Sequence, residues 1–132
     1  CPMKSVPGLG LDLVSLSRFA SVLERGGDIF RDEVFTLCEQ ESAEARKNPS
    51  QHYAVRFAAK EAVLKALGRG LGQGIALKEI EILSDGRTPP SITLHGNALK
   101  VATGLRVVGW SISLSHSRDT CGAIVNAHFT KD

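Results

Sequence analysis

The sequence predicts a fold of mixed class, with helices filling most of the first half and strands most of the second. Three stretches carry that prediction. From Ser50 to Leu67 the chain is rich in Ala, Leu, Lys and Glu, with no Gly or Pro, as a long helix requires. From Val107 to His116 it alternates: Val108, Trp110, Ile112 and Leu114 fall on one face, Ser111, Ser113 and Ser115 on the other. That is the period of a half-buried strand. Near the start, Val6 to Val14 reads as a short apolar strand punctuated by Gly8 and Gly10.

Composition sets the outer limits. The 132 residues suit one domain (1–132), with 42% hydrophobic and 23% charged residues in the ordinary globular range. A net charge of +2 gives no bulk argument for nucleic acid, so an acidic partner would need a local patch. No apolar run approaches the roughly 20 residues that span a bilayer, so no membrane is expected. The start, Cys1-Pro2-Met3-Lys4, lacks the apolar core of a secretory signal. Cys1, Cys38 and Cys121 are odd in number and lack metal-like spacing, which predicts reduced thiols in the cytoplasm or an organelle.

Asp12 interrupts the first strand. A carboxylate inside a buried strand is expensive, which makes it either a metal-ligand candidate or a cap for the next turn. Ser15 or Ser17 then starts a helix running to about Arg25, where Gly26-Gly27 stops it. Phe19, Val22 and Leu23 form its apolar stripe, and Arg18 and Arg25, seven apart, share a basic face. After a short turn beginning near Phe30, a second helix runs from about Thr36, a candidate N-cap, to Arg46. Asn48 and Pro49 supply the N-cap and first position of the long helix, and Gly68 its stop.

That helix is apolar nearly all round, so it should be buried. Arg56, Lys60, Glu61 and Lys65 are set into it. Buried charges need each other, a metal or a charged ligand, although ordinary i,i+4 electrostatics at the helix edges is the simpler account, with Glu61 and Lys65 four apart on one side and Arg56 and Lys60 four apart towards another. Gly68 to Gly74 is glycine-rich, allowing backbone N–H groups to approach phosphate oxygens, but no Walker pattern follows. Ile75 to Leu83 reads as a strand, Ser84 to Arg87 as a turn, and Ile92 to His95 as another strand with His95 at the surface. A brief helix falls at Ala98 to Thr103, and after Ser117-Arg118-Asp119 a last strand runs from Thr120 to about His128. Ser113-Leu114-Ser115-His116 has no partnered acid, so a serine nucleophile is rejected.

Arg56-Phe57-Ala58-Ala59-Lys60-Glu61-Ala62, followed by Lys65-Ala66-Leu67-Gly68, resembles the central motif of the 4'-phosphopantetheinyl transferases, more narrowly their small holo-acyl-carrier-protein synthase type. Gly10-Leu11-Asp12 and Ser113-Leu114-Ser115-His116 resemble the family's first and third motifs, in order, so that the likeness covers Gly8 to about Val125. The resemblance implies an α+β fold, with an antiparallel sheet packed on a long central helix, and a homotrimer with active sites between subunits. It implies transfer of 4'-phosphopantetheine from coenzyme A to a serine of an apo acyl carrier protein, releasing adenosine 3',5'-bisphosphate. Fatty acid, polyketide and peptide synthesis all need that step.

On the same resemblance Asp12 and Glu61 hold Mg2+ and Lys65 balances pyrophosphate charge. Arg56, Lys65, Gly68 and His116 bind coenzyme A, and Asp12, Glu61 and Lys65 form the catalytic set. Arg18, and less directly Arg25, dock the acidic helix of the carrier protein. The segment around Glu39 and Glu41 resembles the family's Phe-Thr-x-x-Glu run, which mainly builds structure around the cleft. The proton acceptor is either Glu61 or a metal-bound water. The alternatives are a non-catalytic module that binds coenzyme A or a carrier protein, expected to lack Asp12 or Glu61, and a nucleotide-binding enzyme of unrelated chemistry.

Overall fold

The structure, a computed structural model, describes residues 8–69, 74–84 and 87–130. Its elements are β1 (Leu9–Ser15), α1 (Leu16–Val34), α2 (Leu37–Glu44), α3 (Pro49–Ala66), a single 3-10 turn (Leu77–Glu79), β2 (Ile80–Leu83), β3 (Ser91–Leu94), α4 (Gly96–Gly104), β4 (Val107–His116) and β5 (Thr120–Phe129). The fold is α+β, as expected. The strands form two antiparallel sheets rather than one: β1-β5-β4 and β2-β3. α3 packs against strands of both sheets and against α1 and α2.

α3 forms where its sequence directs. Asn48 caps it by accepting from the Gln51 N–H at 3.2 Å, with Pro49 at the first position. At the other end Gly68 takes φ +73, the Gly68 N–H bonds the Lys65 carbonyl and the Arg69 N–H bonds the Leu64 carbonyl. These two bonds make a Schellman ending, which needs a left-handed residue at that point. Tyr53, Ala54, Ala58, Ala59, Ala62, Val63, Leu64 and Ala66 are all buried. Aromatic contacts run from Phe57 through Phe19, Phe30 and Phe35 to Tyr53, joining α1 and the residue that ends it to α3.

Lys60 is also fully buried, and it pairs with Glu39 from α2. Its Nζ lies 2.7 Å from Glu39 Oε1 and donates as well to the carbonyls of Leu77 and Ile80, so all three ammonium hydrogens are used. Glu39 is equally occupied. Oε1 also accepts from the Thr36 N–H at 2.9 Å, and Oε2 accepts from the Ile82 N–H at 2.8 Å. With Thr36 Oγ1 accepting from the Glu39 N–H, Glu39 completes a capping box on α2. The Phe-Thr-x-x-Glu segment is therefore structural.

Other expectations need correction. The first helix does not end at Arg25: Gly27, at φ +55 and ψ −145, kinks it, and helix resumes to Val34 because the apolar Phe30 and Val34 still have a core to face. The strand expected from Ile75 begins only at Ile80, since Glu79 turns back to accept from the Ala76 N–H and closes a 3-10 turn. Val108 does not share a face with Trp110. A register shift between Val107 and Gly109 flips the phase, leaving Val108 65% exposed and Val107 half-buried. Val6 and Pro7, most of the glycine-rich loop, part of the Ser84–Arg87 turn and Cys1 lie outside the described residues, while Cys38 and Cys121 are free thiols. Among the described residues no helix is long and apolar enough to cross a membrane.

Removing one partner of the buried pair leaves an uncompensated charge. Lys60→Met should cost about 3–5 kcal/mol in urea unfolding, and Lys60→Met with Glu39→Gln distinctly less, because no buried charge is then left alone. Equal losses in the two variants would contradict this account of the pair.

Candidate functional site

The site begins with a glycine. On β1, Gly10, Asp12 and Val14 face inward while Leu9, Leu11 and Leu13 face out. A Cβ at Gly10 would stand 1.8 Å from the Ala62 carbonyl oxygen, so only glycine lets β1 lie against the backbone of α3. Two residues on, the period of a strand puts the Asp12 carboxylate on that same face. On α3 the turn after Ala58 carries Glu61, and one further turn brings Lys65. Lys65 Nζ lies 3.1 Å from Asp12 Oδ1 and 2.8 Å from the Leu11 carbonyl. Its ion pair is therefore with β1.

Glu61 is half-buried, and its carboxyl is held above the usual carboxylate range, first by burial and next by the negative charge of Asp12, with Lys65 opposing. A carboxyl raised in part by a neighbouring carboxylate marks a site of excess negative charge. The donor set fits a hard divalent ion: carboxylate oxygens from two chain segments, beside an exposed lysine. No third acidic, histidine or cysteine side chain completes a cluster among the described residues. That suits Mg2+, which takes one or two carboxylates and fills its octahedron with water and phosphate oxygens. Cys121, buried on β5, has its thiol pushed up by burial and then by Asp12, so it stays a neutral neighbour of this cluster.

A second grouping is cationic. Arg46, Asn48, Gln51, His52, Val55, Arg56 and His116 line a pocket of 290 Å³, which brings the expected Arg56 and His116 together from α3 and the end of β4. Arg56 is 2% exposed. Its Nε donates to the Ile82 carbonyl at 3.0 Å, and its Nη2 is buried with no partner among the described residues. Burial draws its pKa down to about 10, so it remains a cation at neutral pH. An unpaired buried donor on a cation is costly and suits a pocket built for an anion. Arg46 and His52 were not singled out from the sequence, although His52 stands four residues before Arg56, on the same helical face.

The basic face of α1 forms a third grouping. Ser15 caps α1 by accepting from the Arg18 N–H, and Asp119, in the β4–β5 turn, accepts from the Ser17 N–H at 3.2 Å. Arg18 lies at a mostly apolar hollow of 210 Å³ with Val14, Phe19, Val22, Phe30 and Phe57. Arg25 is exposed further along, its Nε donating to the Ser21 carbonyl. Gly68 follows α3 at the surface, next to the segment outside the described residues.

Comparison with known proteins identifies relatives over most of the chain. A model of the 4'-phosphopantetheinyl transferase superfamily matches residues 8–121. The holo-acyl-carrier-protein synthase of Solidesulfovibrio magneticus is 46% identical over 120 residues, 91% of this chain and 96% of its own length. Among solved structures, the holo-acyl-carrier-protein synthase of Neisseria meningitidis superposes with a TM-score of 0.82 at 33% identity, covering 92% of this chain and 97% of the other. That of Helicobacter pylori, in complex with coenzyme A, gives 0.79 at 27% identity, covering 91% of this chain and 99% of the other.

His52 gives the pocket a pH signature. Burial, then the charges of Arg56 and Arg46, lower its pKa from 6.5 to about 4. The unfolded chain therefore binds the proton first on acidification, so the stability linked to His52 is complete above about pH 6.5 and is lost as pH falls towards about 4. Urea midpoints across that window should fall more steeply for the native chain than for His52→Gln. Parallel slopes would mean that His52 titrates normally.

Proposed function

The chain belongs to the 4'-phosphopantetheinyl transferase superfamily, and on that premise we propose that it moves 4'-phosphopantetheine from coenzyme A to a serine of an apo acyl carrier protein in an Mg2+-dependent reaction. The observation that carries this reading is the pairing of two opposite sites on α3. One is a carboxylate cluster suited to a divalent cation; the other is a cationic pocket with a buried, unpaired guanidinium nitrogen. A pyrophosphate-linked nucleotide needs both.

Asp12 and Glu61 would hold the metal, which when bound supplies charge neutralisation to the pyrophosphate. Lys65, already 3.1 Å from Asp12 and half-exposed, has a cation to offer the phosphates. Arg56 and His116 bind phosphate at the nucleotide end, and Gly68 lets the backbone approach closely. The serine oxygen attacks the phosphorus that bears pantetheine. A new P–O bond to the carrier forms as the bridging P–O bond breaks, and adenosine 3',5'-bisphosphate leaves with that electron pair. Glu61, whose basicity the fold raises, is the proposed acceptor of the serine proton. Positioning and electrostatics dominate such a displacement.

The carrier protein would dock on α1, its acidic helix facing Arg18 and Arg25 and an apolar side chain entering the hollow beside Arg18. A homotrimer with active sites between neighbouring subunits fits the outward face of the three-stranded sheet. There Leu9, Leu11 and Leu13 are 65%, 54% and 68% exposed and Ile124 is 44% exposed, an apolar surface that a partner subunit would cover.

Intact-mass spectrometry of apo acyl carrier protein incubated with this protein, coenzyme A and Mg2+ should show a gain of one phosphopantetheine, lost on adding chelator. Asp12→Ala and Glu61→Ala should each abolish the gain while unfolding cooperatively like the native chain. Transfer retained at saturating Mg2+ would remove that residue from the metal site. No transfer to any of several carriers would argue against the enzyme.

A further inference from the structure

His52 lies one turn before Arg56 on α3 and lines the same pocket. Its Nδ1 is 3.4 Å from Arg56 Nη1, and its Nε2 is 3.4 Å from Ser42 Oγ on α2. A guanidinium has donors only. Nδ1 must therefore accept, and in the neutral ring the hydrogen sits on Nε2, where it can be donated to the serine hydroxyl. The imidazole thus ties α2 to the side chain of Arg56.

The other fastening of that guanidinium is the bond from Nε to the Ile82 carbonyl at 3.0 Å. A planar group held at two of its three nitrogens has the direction of the third determined. That third nitrogen, Nη2, is the buried one without a partner among the described residues. The charged side chains acting on His52 are Arg56 and Arg46, both cations, and with burial they keep the ring neutral at neutral pH. Neutrality preserves the acceptor. A protonated ring would lose it.

We propose that His52 is a positioning residue for phosphate binding: as a neutral Nε2–H imidazole bridging Ser42 and Arg56, it fixes the guanidinium so that Nη2 is the donor left for a phosphate at the nucleotide end of coenzyme A. The inference rests on the reading of coenzyme A as substrate. It adds a residue that never touches the reacting atoms and acts on affinity through Arg56. Holding the donor in place before the ligand arrives removes an ordering cost from binding. The Ser42 hydroxyl, which also borders a neighbouring hollow with Leu83, Thr88 and Pro89, gives the imidazole its second anchor.

The test uses the full chain and adenosine 3',5'-bisphosphate as probe, by calorimetry at neutral pH, with steady-state transfer from coenzyme A alongside. His52→Ala should weaken probe binding about tenfold and raise the KM for coenzyme A to match, the size expected for losing one hydrogen bond to a charged group, while kcat stays within about twofold. His52→Gln can accept from Arg56 through its amide oxygen and donate to Ser42 through its nitrogen, so it should recover binding to within about threefold. Nitrogen NMR of the native protein should find His52 neutral, with the hydrogen on Nε2.

Unchanged binding in His52→Ala would overturn the proposal. So would an equal fall of kcat in both variants with KM unmoved, or a native ring carrying its hydrogen on Nδ1. If His52→Ala does not fold, the glutamine variant and the native tautomer decide by the same criteria. Native protein that binds neither the bisphosphate nor coenzyme A would instead remove the substrate reading on which the proposal stands.

Discussion

The buried pair between Lys60 and Glu39 is the constraint on which the rest of the structure depends. Both side chains are fully out of water, and charges so placed are tolerable only when every donor and acceptor is used. Lys60 spends its three hydrogens on Glu39 and on two carbonyls of the segment leading into β2. Glu39 caps its own helix and receives the Ile82 N–H. One ion pair thereby sets α2, α3 and β2 relative to one another. Burial pulls the pKa of Lys60 down and Glu39 pulls it back up, so the ammonium depends on its partner for its charge.

The two functional groupings follow from that arrangement. Ile82, aligned by Glu39 through its N–H, offers its carbonyl to Arg56 Nε, so the pocket cation is fastened to the same strand that the ion pair positions. Further along α3 the approach of β1 at Gly10 decides the second grouping. A strand that sits on the backbone of a helix brings its next inward side chain, Asp12, beside Glu61 and Lys65. Gly-Leu-Asp is thus a geometric instruction as much as a set of ligands: glycine for the approach, and aspartate one strand period later for the chemistry.

The four charges on α3 have four different fates. Lys60 is structural, Arg56 is buried with one donor unspent, Glu61 is raised by burial and then by Asp12, and Lys65 reaches across to β1. Simple i,i+4 pairing describes none of them fully. It fails because each partner comes from another element: Glu39 from α2, Ile82 from β2, Asp12 from β1. His52 is the exception, a same-helix partner at the expected spacing that meets Arg56 because both sit where α3 faces α2 and the end of β4.

Much of this was legible in the sequence because it is local. The long helix, its Asn48-Pro49 start and its Gly68 stop are dictated by propensity and by backbone groups that can be satisfied within a few residues. The alternation of β4 from Trp110 onward, a break in helical geometry at Gly26-Gly27 (expected as a stop rather than a kink) and the short motifs around Asp12, Glu61 and His116 were visible for the same reason. The sequence could not show that the chain would cross Gly27 and remain helical to Val34, or that a bulge would turn Val108 outward, since a helix or strand keeps going while the core still covers its apolar side chains. Nor could it say which buried cation would find a carboxylate and which would keep a nitrogen free. That choice belongs to tertiary structure, because the cost of a buried charge is settled by groups that are distant in the chain and adjacent only after it folds.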